Sequence, residues 1–207
     1  MRIYVHCEEP TIEIIIKNVF KNLLPDTVEF EFTVKSKPAL INGLENSLEF
    51  YGSKWSYDKD FRVIIISDSD GQDCKDIKSI LETKAQKFNL PTSTNPDPIT
   101  DQFAILNLVI VEELESWFIG DIEALVKSYP KMPKSLHKQK GFRGFDKIKK
   151  PKEQLDQKLI SIGYFKHYVR RNELAETLTP HMNPDSNQSA SFQYFRRRLT
   201  DLVRADL

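Results

Sequence analysis

Residues 62–67 read Arg-Val-Ile-Ile-Ile-Ser, and four β-branched apolar side chains in a row can be housed by few folds. Neighbouring side chains on a strand point to opposite faces, so this one has no face suited to water. Such strands belong in the middle of parallel sheets, where crossover helices cover both sides. The surrounding sequence supplies the other parts. Residues 3–7 are a short apolar run, followed by Ile12, Ile15, Ile16, Val19, Phe20 and Leu23 at helical spacing. In 28–34, Val28, Phe30, Phe32 and Val34 alternate with Glu29, Glu31 and Thr33, which predicts a strand near a sheet edge with one wet face. Pro38 suits the first turn of a helix running to Leu48, and 51–60 is a polar, aromatic stretch. A helix over 73–88, a loop marked by Pro91, Pro96 and Pro98, and a strand over 104–111 follow. Strand and helix alternate, which predicts an α/β fold: a mainly parallel sheet with helices on both faces.

Beyond Pro130 no strand is evident. Helix-forming segments over 152–162, 171–178 and 191–202 predict a helical C-terminal region packed on the sheet, dividing the chain into a core of 1–130 and a basic region of 131–207. Of 207 residues, 30 are basic and 30 acidic, but they are unevenly placed: residues 1–130 hold 13 basic and 22 acidic side chains, and 131–207 hold 17 and 8. Two explanations stand side by side. The acidic half attracts metal and the basic half an acidic polymer, or the halves attract each other. No segment has the run of about 18 apolar residues that a membrane span needs, and the first residues read as a strand, not a signal peptide, so a cytoplasmic protein is expected. Cys7 and Cys74 are expected as free thiols in that compartment.

The chemistry concentrates where strands end. Asp68-Ser69-Asp70-Gly71 follows the central strand, and extended backbone would set Asp68 and Asp70 on one side. Ligands of open α/β sheets bind outside the carboxyl ends of strands, and a hard cation such as Mg²⁺ takes a few carboxylate oxygens and retained waters. The plainer account is that Asp68, Asp70 and Asp73 cap the next helix. A second group, Cys7-Glu8-Glu9-Pro10-Thr11-Ile12-Glu13, follows the first strand. If the first and third strands are neighbours, Glu8 or Glu9 faces the aspartates; Glu13 suits the helix dipole. The third group, Glu112-Glu113-Leu114-Glu115, follows the fourth strand, with Glu113 and Glu115 sharing a side if extended and Glu112 and Glu115 if helical.

These segments, with Ser116-Trp117-Phe118-Ile119-Gly120-Asp121, Tyr129-Pro130, Gly163-Tyr164-Phe165, His181-Met182-Asn183-Pro184-Asp185 and Ser189-Ala190-Ser191-Phe192, resemble the bacterial domain-of-unknown-function family 4276 over nearly the whole chain. That family is similar to the Toprim-like fold of topoisomerases, primases and overcoming-lysogenization-defect nucleases. There, a Glu after the first strand and an Asp-x-Asp after a later one hold Mg²⁺ for phosphodiester chemistry. The resemblance implies Glu8, Asp68 and Asp70 as metal-holding catalytic residues, with Mg²⁺ or Mn²⁺ as cofactor; Glu9, Glu13, Glu113 and Glu115, read from their place at the strand ends, are second-tier acids beside them. It departs from the Toprim pattern at Glu8-Glu9, where Glu-Gly is usual, and at Arg171, where the family resemblance suggests lysine. Members resemble partners of ATPases in settings associated with phage defence.

Residues 131–152 carry nine Lys/Arg against Asp146 alone and interleave Phe142 and Phe145. The stretch either tracks a nucleic-acid backbone, with Lys138, Lys140, Arg143 and the more distant Arg171 as candidate contacts, or is a solvated loop anchored by two aromatics. The four histidines show no metal-ligand spacing, and no phosphate-binding glycine loop is present. Three functions follow as expectations: a Mg²⁺-dependent nuclease, a non-catalytic subunit serving an ATPase, and an aspartate-based phosphatase with Asp68 as nucleophile and Asp70 as acid/base.

Overall fold

The structure is a computed structural model that describes residues 1–204. Four strands, β1 (Arg2–Cys7), β2 (Glu29–Val34), β3 (Phe61–Asp68) and β4 (Ile105–Ile110), form one parallel sheet in the order β2-β1-β3-β4. β3 is buried at all eight positions, as its apolar run demands, and β2 lies at an edge with its Glu29 and Glu31 exposed. After β1 the chain steps to β2, crosses back over β1 to β3, and continues outward to β4. The direction of winding therefore reverses between β1 and β3.

Alternate residues of the strands sort two cores. On one face Phe61, Val63, Ile65, Ile105 and Val109 pack beneath α2 (Lys37–Asn42), α3 (Glu45–Trp55) and α4 (Cys74–Lys87). On the other, Ile3, Val5, Cys7, Ile64, Ile66, Leu106, Leu108 and Ile110 meet α1 (Thr11–Val19) and the C-terminal helices. These are α5 (Glu115–Ile119), α6 (Ile122–Ser128), α7 (Pro151–Ser161), α8 (Arg171–Leu178) and α9 (Ala190–Arg204). The basic half thus shares one face of the core with α1, α5 and α6 of the acidic half.

One segment differs from expectation. The helix predicted to run from Pro38 to Leu48 is two helices broken at Gly43, and the second continues into the polar, aromatic stretch as far as Trp55. Leu44, Leu48, Tyr51 and Trp55 recur at three- and four-residue spacing and are all buried against the sheet, so tertiary burial overrides the polar residues between them. Beneath this helix His6 shares a 2.9 Å hydrogen bond with Tyr51, and burial pushes the imidazole down to about 4, so it is neutral at physiological pH. Among the described residues no helix is long and apolar enough to cross a membrane.

The turn between α5 and α6 is locked to the chain just before α9. Asn187 donates to Trp117 O at 2.8 Å and accepts from Ser189 N at 2.9 Å, while Gln188 N donates to Gly120 O at 2.8 Å. A Cβ on Gly120 would stand 2.3 Å from Asn187 Oδ1 and 2.9 Å from Ser189 N. Gly120→Ala is therefore expected to lower the unfolding free energy by about 1–3 kcal/mol, as overpacking does; an unchanged urea midpoint would show that the loop has room to yield.

Candidate metal centre and acidic crevice

Neighbouring parallel strands carry the site. β1 pairs with β3 so that Cys7 lies opposite Ile66, which brings Glu8 beside Ser67 and Asp68. Glu8 Oε1 accepts from the Ser67 hydroxyl and, at 3.1 Å, from Asp68 N. Beyond the end of β3 the ladder to β4 persists: Ser69 N donates to Ile110 O, Asp70 N to Glu112 O, both at 2.9 Å, and Glu112 N to Ser69 Oγ at 2.8 Å. This stitching carries the third acidic group to the crevice, and Leu114 N donates to Asp68 Oδ2 at 3.3 Å.

The paired aspartates do not share a side. Asp68 ends the strand and is 9 % exposed, whereas Asp70 adopts a left-handed φ of 48° and its side chain turns outward. There it meets Lys37, whose Nζ lies 2.8 Å from Asp70 Oδ2 and 2.6 Å from Asp68 O. Aspartate tolerates this backbone better than most residues.

Of the assisting acids, the fold brings in two and leaves two aside. Glu9 and Glu115 face Asp68 closely enough to repel its charge. Glu13 instead pairs with Lys17 along α1 at 2.5 Å, and Glu113 accepts Lys152 N at 2.9 Å as a cap on α7. Because α5 starts at Glu115, neither of the anticipated pairings of Glu112, Glu113 and Glu115 is realised; Glu112, with φ 62°, turns to Lys149.

Low dielectric and like charge act together here. Burial, then Glu9, Glu115 and Glu8, push the Asp68 carboxyl well above the usual carboxylate range, against the Leu114 N–H. Burial pushes Glu115 up to about 7 despite Arg171, and raises Glu8 despite Ser67 and Lys37. Cys7 rises to about 12, from burial first and the neighbouring glutamates second, so it is an unreactive thiol. The space between Glu8, Glu9, Ile12, Ile66, Asp68, Ile110 and Leu114 is about 10 Å³, room for one water-sized particle.

The C-terminal half supplies cations to this crevice. Lys152 Nζ lies 3.6 Å from Glu9, Lys149 pairs with Glu112, and Arg171 lies between Glu115 and Asp156. Arg171, expected as a nucleic-acid contact, is therefore spent inside the fold. One of its nitrogens stands 3.0 Å from Glu115 Oε1 but is not aligned to donate, leaving both Glu115 oxygens and Glu9 Oε2 buried without a hydrogen bond. Lys138, Lys140 and Arg143 are exposed, whereas Phe142 is 5 % exposed and anchors the loop, so stacking a base on Phe142 is ruled out.

Sequence reasoning overlooked Ser67, Lys37, Lys149 and Lys152. Lys37 had a signal, since it follows the carboxyl end of β2, on the same edge of the sheet as the other groups. Lys149 and Lys152 had none, because only folding brings them near Glu112 and Glu9.

Hard oxygen donors, orphaned buried carboxylate oxygens and depressed acidity are a donor set that fits a divalent cation. Among the described residues no three His, Cys, Asp or Glu side chains are grouped closely enough to hold a metal ion together. Arg171→Ala would strand Glu115 and Asp156 and is expected to lower the unfolding free energy by roughly 3 kcal/mol. Arg171→Lys should restore only part, since an ammonium lacks the fork that reaches two carboxylates; chemical denaturation of both variants reads the result, and an unchanged midpoint in Arg171→Ala would mean the pair is solvated.

A family model described as domain of unknown function (DUF4276) matches residues 7–202. Among solved structures, the C-terminal region of the OLD protein of Xanthomonas campestris pv. campestris is similar over 99 % of this chain and 96 % of that one, at 12 % identity and a TM-score of 0.45. No curated protein matches. The chain belongs to the family DUF4276.

Proposed function

We propose that this protein is a Mg²⁺- or Mn²⁺-dependent hydrolase of nucleic-acid phosphodiesters. The observation that carries the reading is positional: Glu8, Glu9, Asp68 and Glu115 gather outside the carboxyl ends of β1, β3 and β4, at the point where the winding of the sheet reverses. That is where open α/β sheets bind ligands, and carboxylates gathered there against their own repulsion call for a cation. The resemblance to Toprim-like nucleases assigns the same chemistry to Glu8, Asp68 and Asp70.

Glu8 and Asp68 would hold the ion, with Glu9 and Glu115 as the nearest further oxygens. Ser67 orients Glu8, and the Leu114 N–H orients Asp68. A bound ion supplies Lewis acidity, activating water and offsetting charge on the leaving oxygen. Lys37, paired with Asp70 at the crevice, would grip a phosphate oxygen in exchange for that carboxylate. Exposed Lys138, Lys140 and Arg143 extend the basic surface available to a strand.

A second reading is favoured by one observation: Asp70, Glu9, Glu112 and Glu115 each already face an internal cation. A crevice neutralised from within serves equally as the scaffold of a non-catalytic subunit working with an ATPase, the partner that family resemblance suggests. Melting curves and a cleavage assay separate the two. The nuclease reading expects Mg²⁺ or Mn²⁺ to raise the melting temperature, and Asp68→Asn and Glu8→Gln each to cut cleavage about a hundredfold or more, the scale of losing a positioned charge in a reacting site. Metal-independent melting together with no cleavage by the chain, alone or with a co-purified ATPase, would leave the scaffold reading.

A further inference from the structure

Away from the crevice, a cavity of about 810 Å³ opens between α6, the 134–137 turn, Phe145 and the 186–188 loop. Its size suits a small organic ligand. Ile122, Val126 and Phe145 give it an apolar wall. Lys127, Lys134 and His137 line it as well, all three exposed and none with an ion-pair or hydrogen-bond partner among the described residues. The contrast with Lys37, Lys149, Lys152 and Arg171 is informative, because those cations are committed to internal carboxylates while Lys127 and Lys134 are free to take an external anion.

The wall itself is built under strain. Phe145 holds a left-handed φ of 44°, which a bulky side chain seldom adopts, just after Gly144 at φ 83°. Asp146 pins that conformation by accepting from Ser189 Oγ at 2.7 Å, from Ser191 N at 3.3 Å and from Ala190 N at the start of α9. An aromatic ring held half-buried in a cavity wall, beside free cations, matches a flat apolar group joined to an anion. Glu123, also on the lining and unpaired, is placed to accept from hydroxyl or amino groups.

We propose that this cavity binds one nucleotide unit, its base against Phe145 and Val126 and its phosphate toward Lys127, Lys134 and His137. The unit is either a free mononucleotide or one residue of a single strand. The site is separate from the crevice and does not require the crevice to hold metal.

The test uses the full chain in EDTA, so that metal-dependent cleavage is silent. The four ribonucleoside 5′-monophosphates are titrated by calorimetry, and a fluorescein-labelled single-stranded dodecamer by anisotropy. Binding is expected in at least one arm; monophosphate binding identifies a free nucleotide, and binding of the strand alone identifies a strand residue. Lys127→Glu combined with Lys134→Glu should weaken it about tenfold or more, a loss of roughly 1.4 kcal/mol, and Val126→Trp should do the same by filling the wall. Asp68→Asn should leave it unchanged, which separates this site from the crevice. No binding in either arm, an affinity unaltered by the paired lysine substitutions in a folded protein, or equal binding of ribose 5-phosphate would overturn the assignment.

Discussion

The pairing of β1 with β3 is the constraint on which the rest of the molecule depends. It places the two interior strands of the sheet side by side under helices on both faces, and it sets the point where the chain stops winding one way and begins winding the other. The register of that pair also decides the site. With Cys7 opposite Ile66, Glu8 receives hydrogen bonds from Ser67 and Asp68 N. A slip of one residue would turn every side chain of β1 to the other face and break both cores together.

Charge is the second organising force, and it acts between the halves of the chain. Three cations of 131–207, from the loop before α7, α7 itself and α8, reach the carboxylates at the strand ends, where Lys37 of α2 joins them from the acidic half. The pairs with an exposed partner add little net stability because water screens them, and the buried pair Arg171–Glu115 adds little because both partners lose water on burial. What the Arg171–Glu115 pair does is make the halves mutually dependent: without Arg171, Glu115 would be left uncompensated in an apolar setting. The opposed charges of 1–130 and 131–207 therefore find part of their explanation inside the fold, and the cations left over, such as Lys127, Lys134 and Lys138, are those available to other molecules.

The two cores divide the labour. The face under α2, α3 and α4 is aromatic at its edge, with Tyr51 and Trp55 both against Phe61. The opposite face carries the C-terminal helices, whose Trp117, Phe192 and Phe195 stack over the sheet and fix α5, and with it Glu115, against the crevice. Stability on one face and positioning on the other come from the same four strands.

Much of this was legible before any coordinates. The β-branched run of β3 by itself demanded a central parallel strand, the alternation in 28–34 an edge, and the acidic triplets marked three strand ends, because burial period and composition are local properties of the chain. The helices over 152–162, 171–178 and 191–202 were legible for the same reason. What only the tertiary structure decided was direction and company. A left-handed turn at Asp70 parted it from Asp68, a cap on α7 claimed Glu113, and a pair on α1 claimed Glu13. Arg171 was drawn inward between Glu115 and Asp156, and Phe142 was buried while Phe145 was left in a cavity wall. Each outcome rests on a partner distant in sequence, and the orientation of a charged or aromatic side chain is set by such partners, whereas the burial rhythm of a strand or helix is written in its own neighbours.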